Sequence, residues 1–115
     1  MVGESRNALA DRLLGEALRV ARHPLIRFHQ GAAGRRQPLV TGTRQYVHQV
    51  VATLKAGDGD VDEAAAYLGL TIRQVRAALD YYADFQDEVD ADAHAARRIE
   101  AAERDRWERQ QRALA

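Results

Sequence analysis

The sequence predicts a mainly α-helical protein: a small helix-turn-helix domain with a short N-terminal β-hairpin or dimer-pairing strands, flanked by an N-terminal helix and a long C-terminal helix. Three observations support this fold class. Leucine and alanine recur every three or four positions in the first 22 residues. Two helix-start signals begin at Asp60 and Thr71. No glycine or proline interrupts residues 91–115. The chain therefore divides into an N-terminal amphipathic helix (1–22), a helix-turn-helix domain (23–86) and a charged helical tail (87–115).

The N-terminal segment predicts a helix from Ser5 to Arg22, ended by His23-Pro24. Its apolar positions share one face, and the sequence leaves open whether that face packs on the chain's own core or on a dimer mate; they are Leu9, Leu13, Ala17, Leu18 and Ala21. Residues 25–29 and 37–41 then suggest two short strands separated by glycines. Exposed strand edges are costly, so we expect pairing either across the two-fold axis of a dimer or within one chain, under the first helix.

The central segment predicts three helices. The first opens at Thr41-Gly42-Thr43-Arg44, runs for about a dozen residues by its apolar spacing, and buries Val47, Val50, Val51 and Leu54. Asp60 with Glu63, and Thr71 with Gln74, predict the starts of the next two.

A helix-turn-helix corner is predicted between those last two helices. Ala65, Gly69 and Val75 stand where such a corner needs a small residue, a turn glycine and an aliphatic seal. The other apolar positions expected to point inward are Ala64, Leu68, Leu70, Ile72, Ala78, Leu79 and Tyr82.

The second helix of the corner, from Thr71 to Tyr82, would present its N-terminal face to a DNA major groove. That face is expected to carry Thr71, Arg73, Gln74, Arg76 and Ala77, whose side chains suit guanine, adenine, thymine methyl groups and phosphate. Phosphate contacts are expected from the basic N-terminal half, through Arg35, Arg36, Arg44 and Lys55. The competing interpretation is a plain helical hairpin whose arginines are only solvated.

Charge is unevenly distributed along a chain of zero net charge. Residues 1–57 carry +6, residues 58–90 carry −7 and residues 91–115 carry +1. A nucleic-acid partner is compatible with this division, because the local field governs binding. The acidic middle segment counts against DNA and favours a protein-interaction module.

Other function classes are not expected. The chain lacks cysteine and its four histidines are scattered, so neither disulfides nor a metal site is predicted. No apolar run reaches the length of a membrane span, which predicts a soluble cytoplasmic protein. No nucleophile with an adjacent base and no phosphate-binding glycine loop is recognisable, so we expect neither an enzyme nor a cofactor.

The ordered motifs of residues 23–85 resemble a small bacterial family labelled "domain of unknown function 433", whose members include VapB-type antitoxins. Its lead-in of glycine, a basic residue and Pro-aliphatic corresponds to Gly34, Arg35 and residues 38–40, and Gly-Thr-Arg to residues 42–44. A glycine break at Gly57 and a Leu-Thr turn at residues 70–71 complete the pattern.

The resemblance implies a homodimer that binds its own promoter DNA and neutralises a PIN-like ribonuclease toxin through another segment. The tail suits that second role, since sparse apolar anchors on a charged helix are typical of segments that order on binding. The residues expected to contact a partner are Arg97, Arg98, Ile99, Arg104, Arg106, Trp107 and Leu114. The tail is equally compatible with a solvated helix or a dimer arm, and a regulator without a toxin would differ only in the tail's partner.

Overall fold

The computed structural model describes residues 5–31 and 34–115, so the first four residues of the predicted 1–22 segment lie outside it. Five helices and a two-stranded hairpin follow one another along the chain. They are α1 (Arg6–Arg22), β1 (Ile26–Gln30), β2 (Arg36–Val40), α2 (Val47–Ala56), α3 (Val61–Leu68), α4 (Ile72–Asp84) and α5 (Gln86–Leu114). The predicted fold class is confirmed.

The two strands pair antiparallel within one chain, from Ile26 opposite Val40 to Gln30 opposite Arg36. Of the two pairings left open by the sequence, the intrachain hairpin is therefore the one observed. Ile26 and Val40 are fully buried and join the core at one end of the hairpin. The core otherwise consists mainly of small aliphatic side chains from α2 and α4, with Tyr81 as its largest member.

Helix α2 begins later than predicted, at Val47 instead of at Thr41–Arg44. Residues 41–45 form a turn because Thr43 Oγ1 donates to Val40 O at 2.8 Å and accepts from Gln45 N at 2.9 Å. Such a local side-chain bond competes with helix formation. The predicted inward residues of this helix, Val47, Val50, Val51 and Leu54, are all buried.

The helix-turn-helix corner is formed as predicted. Asp60 Oδ1 accepts from Glu63 N at 3.0 Å, and Thr71 and Gln74 exchange two hydrogen bonds of 2.9 and 3.1 Å. Gly69 ends α3 in the left-handed conformation with φ 70°, which a residue with a Cβ adopts only at a cost. Ala65 and Val75 are buried between the two helices.

Val75, Ala78 and Tyr82 of α4 were predicted to face inward and are buried, but two other predicted positions are not. Ile72 and Leu79 were expected to face inward, but they are 46% and 39% exposed, while Tyr81 is fully buried. Tyr81 packs on Phe85 with ring centroids 4.8 Å apart, and its hydroxyl lies 3.3 Å from Glu88. Burying an aromatic ring with a satisfied hydroxyl stabilises more than burying Ile72 would, so the helix turns Tyr81 toward the core.

Helix α1 does not bury its apolar face in the core of its own chain, which is one of the two packings that the sequence left open; it contacts the domain through polar side chains and has no buried residue. Arg36 bonds Glu16 through two contacts of 2.7 and 2.9 Å, and Arg19 binds Glu88 at 2.6 Å. The leucines of the apolar face are exposed. They are Leu9 (40%), Leu13 (52%) and Leu18 (60%), and Leu14 beside them is 61% exposed.

Helix α5 is a single helix, separated from α4 only by Phe85, whose φ of −132° and ψ of 47° are non-helical. The acidic residues that follow Tyr82 therefore lie at the end of α4 and in the first turns of α5. Val89 and Asp92 are buried there, and Tyr82 Oη donates to Asp90 at 2.8 Å. From residue 101 onward every residue is exposed, so the last part of α5 projects as an arm.

Candidate nucleic-acid interface and partner arm

The exposed face of α4 carries Arg73, Arg76 and Asp80, and it forms one wall of a groove of about 440 Å³. The other wall comes from the segment that joins α1 to the hairpin. The residues that line this groove are Arg22, His23, Pro24, Leu25, Ile72, Arg73, Arg76, Ala77 and Asp80. The corner thus places two arginines of α4, three positions apart and on the same face, at the mouth of an open groove.

The segment behind the groove is held rigidly. His23 is buried, and its Nε2 lies 2.8 Å from Asp84 Oδ2 at the end of α4. The His23 ring also meets Tyr81 edge-on, with centroids 5.2 Å apart. Arg22 reaches the same Asp84 carboxylate at 3.4 Å while its side chain stays 69% exposed. Asp84 is therefore largely neutralised within the chain, and Asp80 is the carboxylate that faces the groove.

The turn before α2, which carries Arg44, is tied to the segment that forms one wall of the groove. Thr41 N donates to Leu25 O at 2.8 Å, which fixes the turn beside the groove wall. Arg44 follows three residues later and is exposed. Within residues 5–31 and 34–115, the carboxylates that form ion pairs do so with other cations, and Arg44, Arg73 and Arg76 have no ion-pair partner. These three side chains are available to bind an anionic ligand.

Two predicted base-reading residues, Thr71 and Gln74, form the cap at the N-terminus of α4. Gln74 Oε1 accepts from Thr71 N, and Thr71 Oγ1 accepts from Gln74 N. Gln74 is half-buried and keeps only its amide NH₂ for a further contact. Ala77 is half-buried and lines the groove. Arg73 and Arg76 are consequently the side chains of this face with the greatest freedom to reach a base edge.

The structure does not bring the other predicted phosphate-binding residues to this face. Arg35 and Arg36 lie at the far end of the hairpin, about 13 Å along the strand from Val40. Arg35 Nη2 binds the Asp92 carboxylate at 2.9 Å. Hydrogen bonding to Arg36 holds the pKa of Glu16 below its usual value, although partial burial of Glu16 opposes the shift. Lys55 contacts Tyr82 Oη at 3.0 Å and Asp90 at 3.8 Å.

The predicted partner-binding residues divide between the body and the arm. Ile99 is half-buried against the domain, and Arg97 and Arg98 beside it are exposed. Arg104, Trp107 and Leu114 lie on the projecting arm, where Trp107 is 58% and Leu114 82% exposed. The arm therefore presents an indole and a leucine side chain that no described part of this chain covers.

Sequence patterns do not indicate that Arg22 and Leu25 lie beside α4. They lie about fifty residues away along the chain, and their placement depends on the His23–Asp84 contact. The one usable signal was His23-Pro24 itself, which ends α1 and fixes the direction of the chain that follows.

These features define a helix-turn-helix protein with a cationic groove and a projecting helical arm. Residues 34–82 match the family described as "Protein of unknown function (DUF433)", which is less than half of the chain. The match runs from the start of the second strand region to near the end of α4 and leaves out α1 and the arm. No curated protein and no solved structure matches the chain.

Residues 5–31 and 34–115 contain neither a membrane-spanning helix nor a metal-binding cluster. No helix there is long and apolar enough to cross a membrane. Nor do three His, Cys, Asp or Glu side chains in those residues come together in a way that would hold a metal ion. The match over residues 34–82 supports the resemblance to the family, and the assignment to antitoxins goes beyond that match.

Proposed function

We propose that this chain is a homodimeric antitoxin that binds its own promoter DNA through α4 and a PIN-like ribonuclease toxin through the arm of α5. The observation that carries the DNA part is the pair Arg73 and Arg76, which lack carboxylate partners and lie exposed on the second helix of a helix-turn-helix corner. The likeness of residues 34–82 to DUF433 supports the antitoxin part only through the family resemblance.

DNA would meet the groove side of the domain. Arginine forms bidentate bonds with guanine and with phosphate, so Arg73 and Arg76 suit base edges in the major groove. Arg44, on the neighbouring turn, and Arg22 would contact the flanking phosphates, as the first elements of such domains commonly do. Asp80 limits the approach of DNA to the first two turns of α4, because a carboxylate repels phosphate.

The arm would meet the toxin. Trp107 supplies a large apolar side chain of the kind that dominates binding energy at interfaces. Arg104 and Arg106, which lie close by on α5, would pair with acidic side chains of a nuclease site, since guanidinium binds carboxylates bidentately. The arm's length beyond the body, about 20 Å for its last fourteen residues, is enough to reach into a cleft.

The first experiment measures fluorescence anisotropy of the chain on the duplex upstream of its own gene, with a scrambled duplex as reference, at two salt concentrations. We expect tighter binding to the native duplex, weakened by salt. Replacing Arg73 and Arg76 with Ala should remove the preference, at about 1–3 kcal/mol per lost base contact. The matched control is Arg104→Ala with Arg106→Ala, which removes the same charge from the arm and should keep the preference.

A second function is favoured by a specific observation, namely the extent to which the basic residues are already neutralised. Arg19, Arg35 and Arg36 all bind carboxylates of this chain. If these ion pairs leave too little positive charge to bind DNA, the helix-turn-helix corner would be only a scaffold. The arm would then bind a protein partner, and the chain would not bind DNA. Equal, weak binding to both duplexes, together with capture of the neighbouring gene's product by the arm, would favour this module over the antitoxin.

A further inference from the structure

One side of α1 is apolar from residue 9 to residue 21 and faces away from the domain, with Arg6 in its first turn. At 100° per residue its apolar side chains fall within half of the helix circumference. Small side chains follow the middle of this surface, and leucines flank them on both sides. The surface, called here the α1 apolar face, consists of Leu9, Ala10, Leu13, Leu14, Ala17, Leu18, Val20 and Ala21. Its four leucines are between 40% and 61% exposed.

The exposure of this face is a consequence of how α1 is attached. The opposite side of the helix carries Glu16 and Arg19, which bind Arg36 and Glu88 on the domain. The Arg19 guanidinium also lies 4.4 Å from the centre of the Phe85 ring. Because these contacts fix the polar side against the domain, the leucines cannot turn inward without breaking them. A contiguous apolar surface of this kind marks an interaction site.

We infer that the α1 apolar face binds the same face of a second copy of this chain, forming the dimer interface. The face is self-complementary: alanines along its middle allow two helix axes to approach closely, and the flanking leucines then pack on those of the partner. A two-fold axis brings the same surface of both chains together, so one pattern serves both sides. This inference rests on the proposed function, which needs two recognition helices for two DNA half-sites.

The face lacks the features that other occupants would need. Between Leu9 and Ala21 it carries no charge, and Arg6 at its start is the one charged side chain in line with it, so it offers little to an acidic or basic partner surface. A membrane surface would be bound by basic residues beside the apolar face, but Arg19 is turned toward Glu88 and Arg22 toward Asp84. The arm of α5 is a poorer match, because charged residues separate Trp107 from Leu114 and from Ile99. The same face of another copy of α1 is uncharged between Leu9 and Ala21, so it matches this face over that length.

The size of the contact predicts how stable the dimer is. A helix of 17 residues is about 26 Å long, and two such helices bury less surface than a standard protein interface. We therefore expect a dimer that dissociates in the micromolar range and that DNA stabilises by binding both copies at once.

The test measures the mass of the full chain in solution by sedimentation equilibrium over a range of concentrations, without DNA. We expect a reversible monomer–dimer equilibrium. Leu14→Glu with Leu18→Glu should raise the dissociation constant by at least about a hundredfold, because the contact loses two leucines and would bury two carboxylates. Ala17→Glu, at the middle of the face, should do the same. Leu114→Glu, which changes an equally exposed leucine on the arm, should leave the equilibrium unchanged.

The outcomes separate this inference from the proposed function. Circular dichroism should show native helix content in all variants, since each changed side chain is exposed. A chain that stays monomeric at every concentration, or a dimer that the α1 variants do not weaken, would overturn the inference. DNA binding is measured in a separate experiment. A chain that dimerises through α1 but does not bind DNA would refute the proposed function and leave the dimer inference intact. Monomers that bind lipid vesicles through α1 would identify a membrane as the occupant and also overturn it.

Discussion

Replacing Asp92 with Asn is expected to stabilise the protein at neutral pH. The Asp92 side chain is only 5% exposed and binds Arg35, whose side chain is 52% exposed. Burial raises the pKa of Asp92 to about 6 from its ordinary 3.8, although the charge of Arg35 acts in the opposite direction. The nearby charge of Glu88 adds to the rise, and a hydrogen bond with Gln37 opposes it. The charged form of Asp92 is therefore less stable in the folded protein than in the unfolded chain.

The sign and size of the effect follow from linkage. Because the folded pKa is the higher one, the folded state binds the proton more tightly, and stability at this group falls as pH rises from about 4 through 6. Each pKa unit corresponds to 1.36 kcal/mol, so the shift costs about 3 kcal/mol once Asp92 is ionised. Asn has nearly the same shape and carries no charge, so the variant avoids this cost.

The assay is urea unfolding followed by circular dichroism, with wild type and Asp92→Asn compared at several pH values. We expect Asp92→Asn to be more stable by up to about 3 kcal/mol above pH 7, with the difference shrinking toward zero near pH 4. Asp105→Asn, an exposed position on the arm of the same helix, is the matched control and should show no such trend. A variant that is less stable than wild type at every pH would refute the reasoning, since it would mean that the Arg35–Asp92 pair stabilises the fold.

Three further predictions concern the corner, the attachment of α1 and the arm. Gly69→Ala should lower the free energy of unfolding by about 1–2 kcal/mol through backbone strain alone, because a Cβ there meets nothing within 4 Å; unchanged thermal unfolding would contradict this. Glu88→Gln should speed amide exchange across α1 by weakening the Arg19 contact, and an unaltered exchange rate would show that other contacts hold the helix. Trp107→Ala should leave the free energy of unfolding unchanged within about 0.5 kcal/mol, as for other surface changes, but abolish toxin capture. In the wild type, the fluorescence of this single tryptophan should shift to shorter wavelength when the toxin binds. The absence of a shift would exclude the arm as the site of contact.

The parts of the fold that the sequence predicted depend on short-range interactions. The caps at Asp60 and Thr71, the glycine at position 69 and the buried valines of α2 follow from residues no more than a few positions apart. Each of these signals has one physical cause that acts locally, whether a hydrogen bond to a free backbone N–H or a left-handed φ. The helix-turn-helix corner could be recognised for this reason.

The orientation of whole helices could not be predicted in this way. Amphipathicity identifies the two sides of α1, but which side faces the domain depends on Glu16 meeting Arg36 and on Arg19 meeting Glu88, 69 residues along the chain. A general preference for burying leucine does not decide between the chain's own core and a dimer mate, and here these ion pairs and the contact of Arg19 with Phe85 attach the polar side to the domain. The same limitation applies to α4, where the choice between Ile72 and Tyr81 depended on a hydroxyl partner in α5.

The pairing of charges within each chain links the dimer to DNA binding. Two arginines of each chain, Arg22 and Arg44, are proposed to meet phosphates, while Arg73 and Arg76 read base edges. With about two phosphate contacts, the affinity of one chain should fall with salt at a logarithmic slope of about −2, which is too weak an electrostatic contribution for specific binding by a monomer. Two chains joined through α1 double the contacts and should double the slope. The Leu14→Glu, Leu18→Glu variant keeps every arginine, so its slope should be half that of wild type. An equal slope would mean that the chains bind DNA independently, whatever their association in solution.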